Sequence, residues 1–246
     1  MDGRVMMARR SVLGLIVGGG FVALTGCDRL KNTTIGGDYL PNYRYRLSVD
    51  VHTPEGLRSG SSVIEVIKPW RRGATVRGQA ATVDLPGEQT LFVLLRSENM
   101  SDWASKAMVP AWPDSDDLGD EGKNIAELLR VTKAKGRIPL PRRWQLTGPD
   151  NTMDHTPFFV LFRDTADPAS VERVDPDNLV KSFGAGFKLR GIFVEITDDP
   201  VTTGIVERLP WLPLNKGKYL DGKTLHDSQL LANSLGSGDF LITGND

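Results

Sequence analysis

Nine residues constrain the fold of this chain more than any others. In YRYRLSVDV, residues 43–51, Tyr43, Tyr45, Leu47, Val49 and Val51 alternate with Arg44, Arg46, Ser48 and Asp50. Side chains of a strand point to opposite faces with a period of two, so the pattern predicts a strand with one buried face and one wet face. Thr53-Pro54-Glu55-Gly56 follows as a turn, its proline presetting φ and its glycine closing the reversal. SSVIEVI, ending at Ile67, returns as the partner strand, so an antiparallel hairpin is the expected nucleus of the fold.

Thr75 to Leu85 reads as a third strand, weakened by Gly78 and by its alanines, and Pro86-Gly87 turns the chain again. LFVLL, residues 91–95, is apolar on both faces and predicts a central strand. PFFVLF (157–162) and FKLRGIFVEIT (187–197) are further strand candidates. Helices are signalled by their ends. Asn124 with Glu127 forms a capping pattern, and Gly136 stops that helix. Asp175 is expected to cap a second helix, with Pro176 in its first turn and Gly184 at its end. Residues 202–209 suggest a short third helix ended by Pro210. The expected class is α+β: an antiparallel meander of about four strands, then mixed strands and short helices, all after an N-terminal signal segment. Residues 43–233 are expected to form one domain, with 234–246 a loose Gly/Ser-rich tail.

The chemistry of sites is sparse. Cys27 is the one cysteine in 246 residues, so no disulfide can form within the chain. The near-neutral balance, −1 overall, gives no basic footprint for nucleic acid. His52, His155 and His226 sit in three different settings, and no Gly-x-Ser-x-Gly elbow, His-Glu-x-x-His helix or Walker loop is present. Asp164, Asp167, Asp175 and Asp177 are closely spaced acids, but their spacing fits no EF-hand loop, and Asp167 and Asp175 read as helix caps. No metal or cofactor is expected. A carboxylate pair for glycoside cleavage needs a separation of about 5–10 Å, which position along the chain does not fix. Tryptophans recur beside arginines and prolines at Trp70, Trp112, Trp144 and Trp211. Loop aromatics and arginines are over-represented at binding hot spots, which makes Trp144 and Trp211 the candidate binding residues. Arg142 and Arg143 are an alternative contact for anionic lipid headgroups.

The N-terminus speaks about location. Arg4, Arg9 and Arg10 precede an uncharged run from Ser11 to Gly26, the layout of an export signal; Met6 or Met7 is an alternative start to Met1. That run is 16 residues, short of the roughly 20 that a membrane-spanning helix wants. Leu24-Thr25-Gly26-Cys27 closes it and resembles the lipobox of bacterial lipoproteins. The resemblance implies cleavage before Cys27, a diacylglyceryl group on its thiol and acylation of the new amine. Two or more acyl chains anchor firmly where one is marginal. Removing residues 1–26 leaves 220 residues with a net charge of −3 and no free thiol once Cys27 is modified. Residues 27–42 then read as a flexible tether. Asp28 after the cysteine leans the assignment toward the inner membrane, as in enterobacterial lipoproteins.

Residues 167–212 and the segment GEQTLFVLLR, 87–96, resemble hypothetical proteins and lipoproteins common in alphaproteobacteria. That resemblance implies a bacterial source and transfers no site residues. The expected function is that of a lipid-anchored, non-enzymatic envelope protein on the cell membrane, facing the periplasm, which binds an envelope protein partner or helps an assembly. The alternative is a membrane-tethered hydrolase acting on an envelope polymer.

Overall fold

The alternating segment forms β1 (Tyr43–Thr53), and the turn passes it to β2 (Gly56–Ile67) in unbroken antiparallel register, from Tyr43 opposite Val66 to Thr53 opposite Gly56. Gly56 takes a φ of 114°, a conformation that side chains resist, and the Thr53 hydroxyl donates to its carbonyl at 2.8 Å. Residues 42–67, 75–108, 136–145, 152–226 and 229–244 are described in this computed structural model, all within one compact unit, Thr33–Asp246. The signal segment, Cys27, the tether, Trp70, Trp112 and the helix expected near Asn124 lie outside the described residues.

The remaining elements are β3 (Thr75–Gln79), β4 (Ala81–Leu85), β5 (Gln89–Ser97), α1 (Trp103–Lys106), β6 (Ile138–Pro139), β7 (Arg143–Gln145), β8 (Thr152–Asp154), β9 (Pro157–Phe162), β10 (Val171–Val174), α2 (Leu179–Phe183), β11 (Lys188–Ile196), α3 (Ile205–Arg208) and β12 (Leu241–Ile242). They build a six-stranded sheet in the order β12-β3-β2-β1-β11-β6, a four-stranded sheet in the order β10-β9-β5-β4, and a β7-β8 pair. Every pairing is antiparallel. The fold is α+β with antiparallel sheets and three short helices among the described residues.

The two large sheets pack face to face. Tyr45, Leu47, Val49 and Val51 of β1 meet Val83, Leu91, Val93, Leu95 and Phe159 of the small sheet in one buried cluster. A second cluster lies on the other face of the small sheet, where Phe92, Leu94 and Val160 meet Ile205, Leu209, Trp211, Leu212, Leu220, Leu235 and Phe240. The C-terminal segment therefore seals the small sheet from outside. This is why LFVLL is apolar at every position: Leu91, Val93 and Leu95 serve one cluster, Phe92 and Leu94 the other.

Several expectations change. The strand expected over Thr75–Leu85 is two strands that part at Ala80 and enter different sheets, so the chain turns a corner there. At that corner β2 crosses β4 so closely that a Cβ on Gly60 would lie 1.9 Å from the Thr82 carbonyl oxygen. Asp175 does not cap α2. Its carboxylate accepts from the amide of Asp177 at 2.9 Å in a local turn, and Asn178 occupies the cap position, while Gly184, with φ 96°, does end the helix. Residues 234–244 of the tail are not loose. Leu235 and Phe240 are fully buried, the Ala80 amide donates to the Phe240 carbonyl at 2.7 Å, and β12 pairs with β3. Small residues at Ser234, Gly236, Ser237 and Gly238 allow tight turns between apolar anchors.

Candidate functional site

Trp144 and Trp211, the expected binding residues, belong to the core. Trp144 is buried, stacked on Trp103 with centroids 6.0 Å apart, and its indole N–H donates to the Pro141 carbonyl at 2.8 Å. Trp211 is buried against Phe162 and Phe240, and its N–H donates to the Thr165 carbonyl at 2.9 Å. A tryptophan beside prolines fills the wedge between sheet and loop when a backbone carbonyl takes its one donor. That outcome overturns the surface reading of both residues.

The histidines are not brought together. His52 and His226 are exposed, the latter beside the Tyr219 ring at 5.5 Å. His155 is buried, with Nδ1 3.4 Å from the Ser97 hydroxyl and Nε2 without a partner. Burial, with a smaller push from Lys106, lowers its pKa against the opposing pull of Asp154. The neighbouring Asp154 does not orient the imidazole; its carboxylate accepts from the Thr156 amide at 2.8 Å and pairs with Arg142 at 3.3 Å. Asp164 and Asp175 each accept the amide two residues on, closing local turns, whereas Asp167 does cap a short helix, the 3-10 turn Pro168–Ser170, through the Ala169 amide. Among the described residues no group of three or more His, Cys, Asp or Glu is arranged to hold a metal ion.

A cleft of about 240 Å³ opens between the ends of β5, β9 and β10, lined by Glu98, Asn99, Arg142, Asp154, Phe158 and Arg173 among others. Arg173 lies over the Phe158 ring at 4.8 Å and pairs with Glu98 at 2.5 Å. The hydrogen bond and charge of Arg173 hold Glu98 below the usual carboxylate range, against a smaller desolvation. Burial raises Asp154, but the bonds from Thr156 and Arg142 outweigh it, and its pKa also falls. Glu98 and Asp154 are therefore held ionised near neutral pH, whereas acid catalysis of glycoside cleavage needs one carboxyl kept protonated; Asp175 is the third acid of the lining.

The outer face of the large sheet is built differently. The outer side of β1, expected to be wet, carries half-buried Arg44 and Arg46 and buried Ser48 and Asp50; opposite them on β2 lie Glu65, Val63, Ser61 and Ser59. Asp50 is 0% exposed, and its carboxylate accepts from Ser59 at 2.8 Å, Arg137 at 3.0 Å and Arg190 at 3.3 Å. Burial alone would push this carboxyl up. The hydrogen bonds from Arg137 and Ser59 and the charges of Arg137 and Arg190 overcome that, and its pKa is lowered. Arg190 reaches Asp50 through a bulge: Asp50 pairs with Gly191 and Val51 with Leu189, leaving Arg190 as the extra residue. A bulge of this kind shifts the register by one residue and re-aims one side chain. Arg137 immediately precedes β6 and stacks over the Phe193 ring at 4.1 Å.

The same arrangement recurs at the other end of β1. Glu65, with an 11% exposed side chain, holds Arg44 at 3.2 Å and Arg77 at 2.5 Å. Arg46 lies between the two groups, bonded to Asp199 and, at 3.4 Å, to Ser61. Two buried acids thus each seat a pair of arginines whose side chains are 33–50% exposed. The six residues from Arg44 to Asp50 separate the pairs by about 20 Å along the strand. Burying a carboxylate is costly unless it is fully paired, and here the pairing fixes the guanidiniums in return. Guanidiniums fixed this way keep N–H donors for a second, external anion such as a carboxylate.

Arg44 and Arg46 were visible in the sequence as the wet half of the alternation. An aspartate in mid-strand was a further signal, since strands are depleted in Asp. Arg137 and Arg190 carried no such signal, because a bulge and a long-range crossing bring them to Asp50. No family model matches the chain, and no curated protein and no solved structure matches it.

Proposed function

We propose that this chain is a lipid-anchored protein of the bacterial cell envelope, held through Cys27 with its body toward the periplasm, and that the guanidinium face of its large sheet binds an acidic envelope protein. The anchor rests on the residues themselves: a basic start, an uncharged run and Leu24-Thr25-Gly26-Cys27, with Asp28 favouring the inner membrane. The binding role rests on one observation, the exposed arginine pairs seated on the buried carboxylates of Asp50 and Glu65. Charge complementarity of this sort steers encounter and selects partners. Glycoside cleavage by a carboxyl pair would need one protonated acid, and Glu98 and Asp154 in the cleft are instead held as anions.

A photo-crosslinking residue in place of Ser61, an exposed position at the centre of the face, tests this in the native host. One discrete crosslinked protein with an acidic surface is the expected product. Irradiated cells that give only the uncrosslinked chain contradict the binding role. Labelling with radioactive palmitate tests the anchor separately: wild type should incorporate label and Cys27→Ser should not.

A further inference from the structure

The C-terminal segment that seals the small sheet also leaves Leu214, Leu225 and Leu230 exposed, the first two far more than the third. Trp211 and Leu212 are buried, but Leu214 is 79% exposed; Leu220 is buried, but Leu225 is 80% exposed. Isolated exposed leucines are ordinary on a protein surface. These two differ in lying next to hydrogen-bonded turns and in the company they keep. The first turn is closed by the Lys218 amide on the Asn215 carbonyl at 3.0 Å, with Gly217 at φ 75°. The second is closed by the Tyr219 amide on the Lys223 carbonyl and the Gly222 amide on the Tyr219 carbonyl, both 2.9 Å, with Gly222 at φ 80°.

Both lobes spring from Tyr219–Asp221, which is fastened to the body through the Leu220 and Asp221 amides bonded to the carbonyls of Leu235 and Ala232. A three-residue base keeps their roots within about 10 Å of each other. Lys216 and Lys218 stand on the first lobe; Lys223 on the second is 59% exposed and pairs with Asp221 at 3.2 Å, and Asp227 is the other acid of the stretch. Tyr219, half-buried against His226, sits between them. Exposed leucines on two lobes that also carry lysines, with a half-buried tyrosine at their common base, match the apolar interior and anionic headgroups of a bilayer surface.

We infer that the lobes carrying Leu214 and Leu225 insert shallowly into an anionic phospholipid surface, so that the body lies on the membrane by its sealed side. This rests on the lipid-anchor reading, which keeps the body within reach: the 16 residues 27–42 span at most about 55 Å when fully extended. Contact made there is effectively intramolecular, so two leucines and three lysines suffice where they would not hold a free protein. The guanidinium face lies on the opposite sheet and is left open to the periplasm.

The test uses the full lipid-modified protein with Leu225→Cys carrying an environment-sensitive fluorophore, Cys27 being blocked by its lipid. A second protein is labelled through Leu57→Cys, a 46% exposed position on the β1-β2 hairpin. In vesicles rich in phosphatidylglycerol, the label at 225 should shift to the blue and be quenched at least threefold more by nitroxide lipids than the label at 57. The difference should shrink in phosphatidylcholine vesicles. Protein that floats with the vesicles while both labels stay equally open to aqueous iodide overturns the inference and leaves the anchor standing. Protein that incorporates no palmitate, yet shows the shift at 225, overturns the anchor and keeps the contact. A shift that depends on protein concentration without vesicles assigns the lobes to a second copy of the chain and overturns the inference.

Discussion

The two large sheets obey one alternation rule and arrive at opposite outer faces. On the small sheet both sides are apolar, because the C-terminal segment lays Trp211, Leu212, Leu235 and Phe240 over Phe92, Leu94 and Val160. On the large sheet the outer side stays polar, with buried Asp50 and Glu65 holding the arginines that face solvent. The contrast separates two tasks. A sealed face stabilises by removing area from water, at roughly 25 cal/mol per Å². A face of paired charges contributes little net stability, because desolvation offsets most of the attraction. Substitutions on the sealed side should therefore act on folding, and those on the wet side on recognition.

The contrast can be broken at four places. The seam between the sheets should give the largest effect. Gly60→Val puts side-chain atoms into the backbone of Thr82, which no rotamer relieves, so urea unfolding should show a loss of about 4 kcal/mol or more, or no cooperative transition. Next comes the sealed face: Phe240→Ala removes a fully buried ring that packs on Phe92, Phe162 and Trp211, and should cost about 3–5 kcal/mol.

The wet face should respond less. Asp50→Asn should cost about 1–3 kcal/mol at neutral pH, the worth of hydrogen bonds to a buried charge. Its sign with pH follows from the lowered carboxyl. The folded pKa lies below the unfolded value of about 3.9, so the contribution is complete above that pH and disappears as acid protonates the folded carboxylate. The stability gap between wild type and Asp50→Asn should thus be flat from pH 7 to 5 and close below pH 4. A gap that widened in acid would mean that Asp50 is not held as the anion. Smallest of all is Arg77→Gln, at about 0–1 kcal/mol, because this half-exposed arginine leaves Glu65 still paired with Arg44.

Much of this contrast was legible locally. Alternation from Tyr43 to Val51 gave both the strand and its wet arginines, and the unbroken apolar run at Leu91–Leu95 announced a sheet covered twice. What covered it was not legible. Ser234, Gly236 and Gly238 suggested a free tail, yet Leu235 and Phe240 between them are anchors, and two buried side chains outweigh local flexibility in composition. Trp144 and Trp211 looked like surface aromatics beside proline, but their N–H groups find carbonyls indoors. The break at Ala80 was hidden because each half keeps strand character, and sheet membership depends on partners far along the chain. Asp50 read as one more polar residue of the alternation; its arginine partners come from 87 and 140 residues away.

The claim that the wet face recognises a partner meets its most direct test in the double variant Arg77→Gln, Arg190→Gln. Each buried acid keeps its other arginine, Arg44 or Arg137, so the unfolding midpoint should stay within a few degrees of wild type. Crosslinking from position 61 should nevertheless fall at least tenfold in the same cells. An unchanged crosslinked band in a normally folded variant would contradict the account.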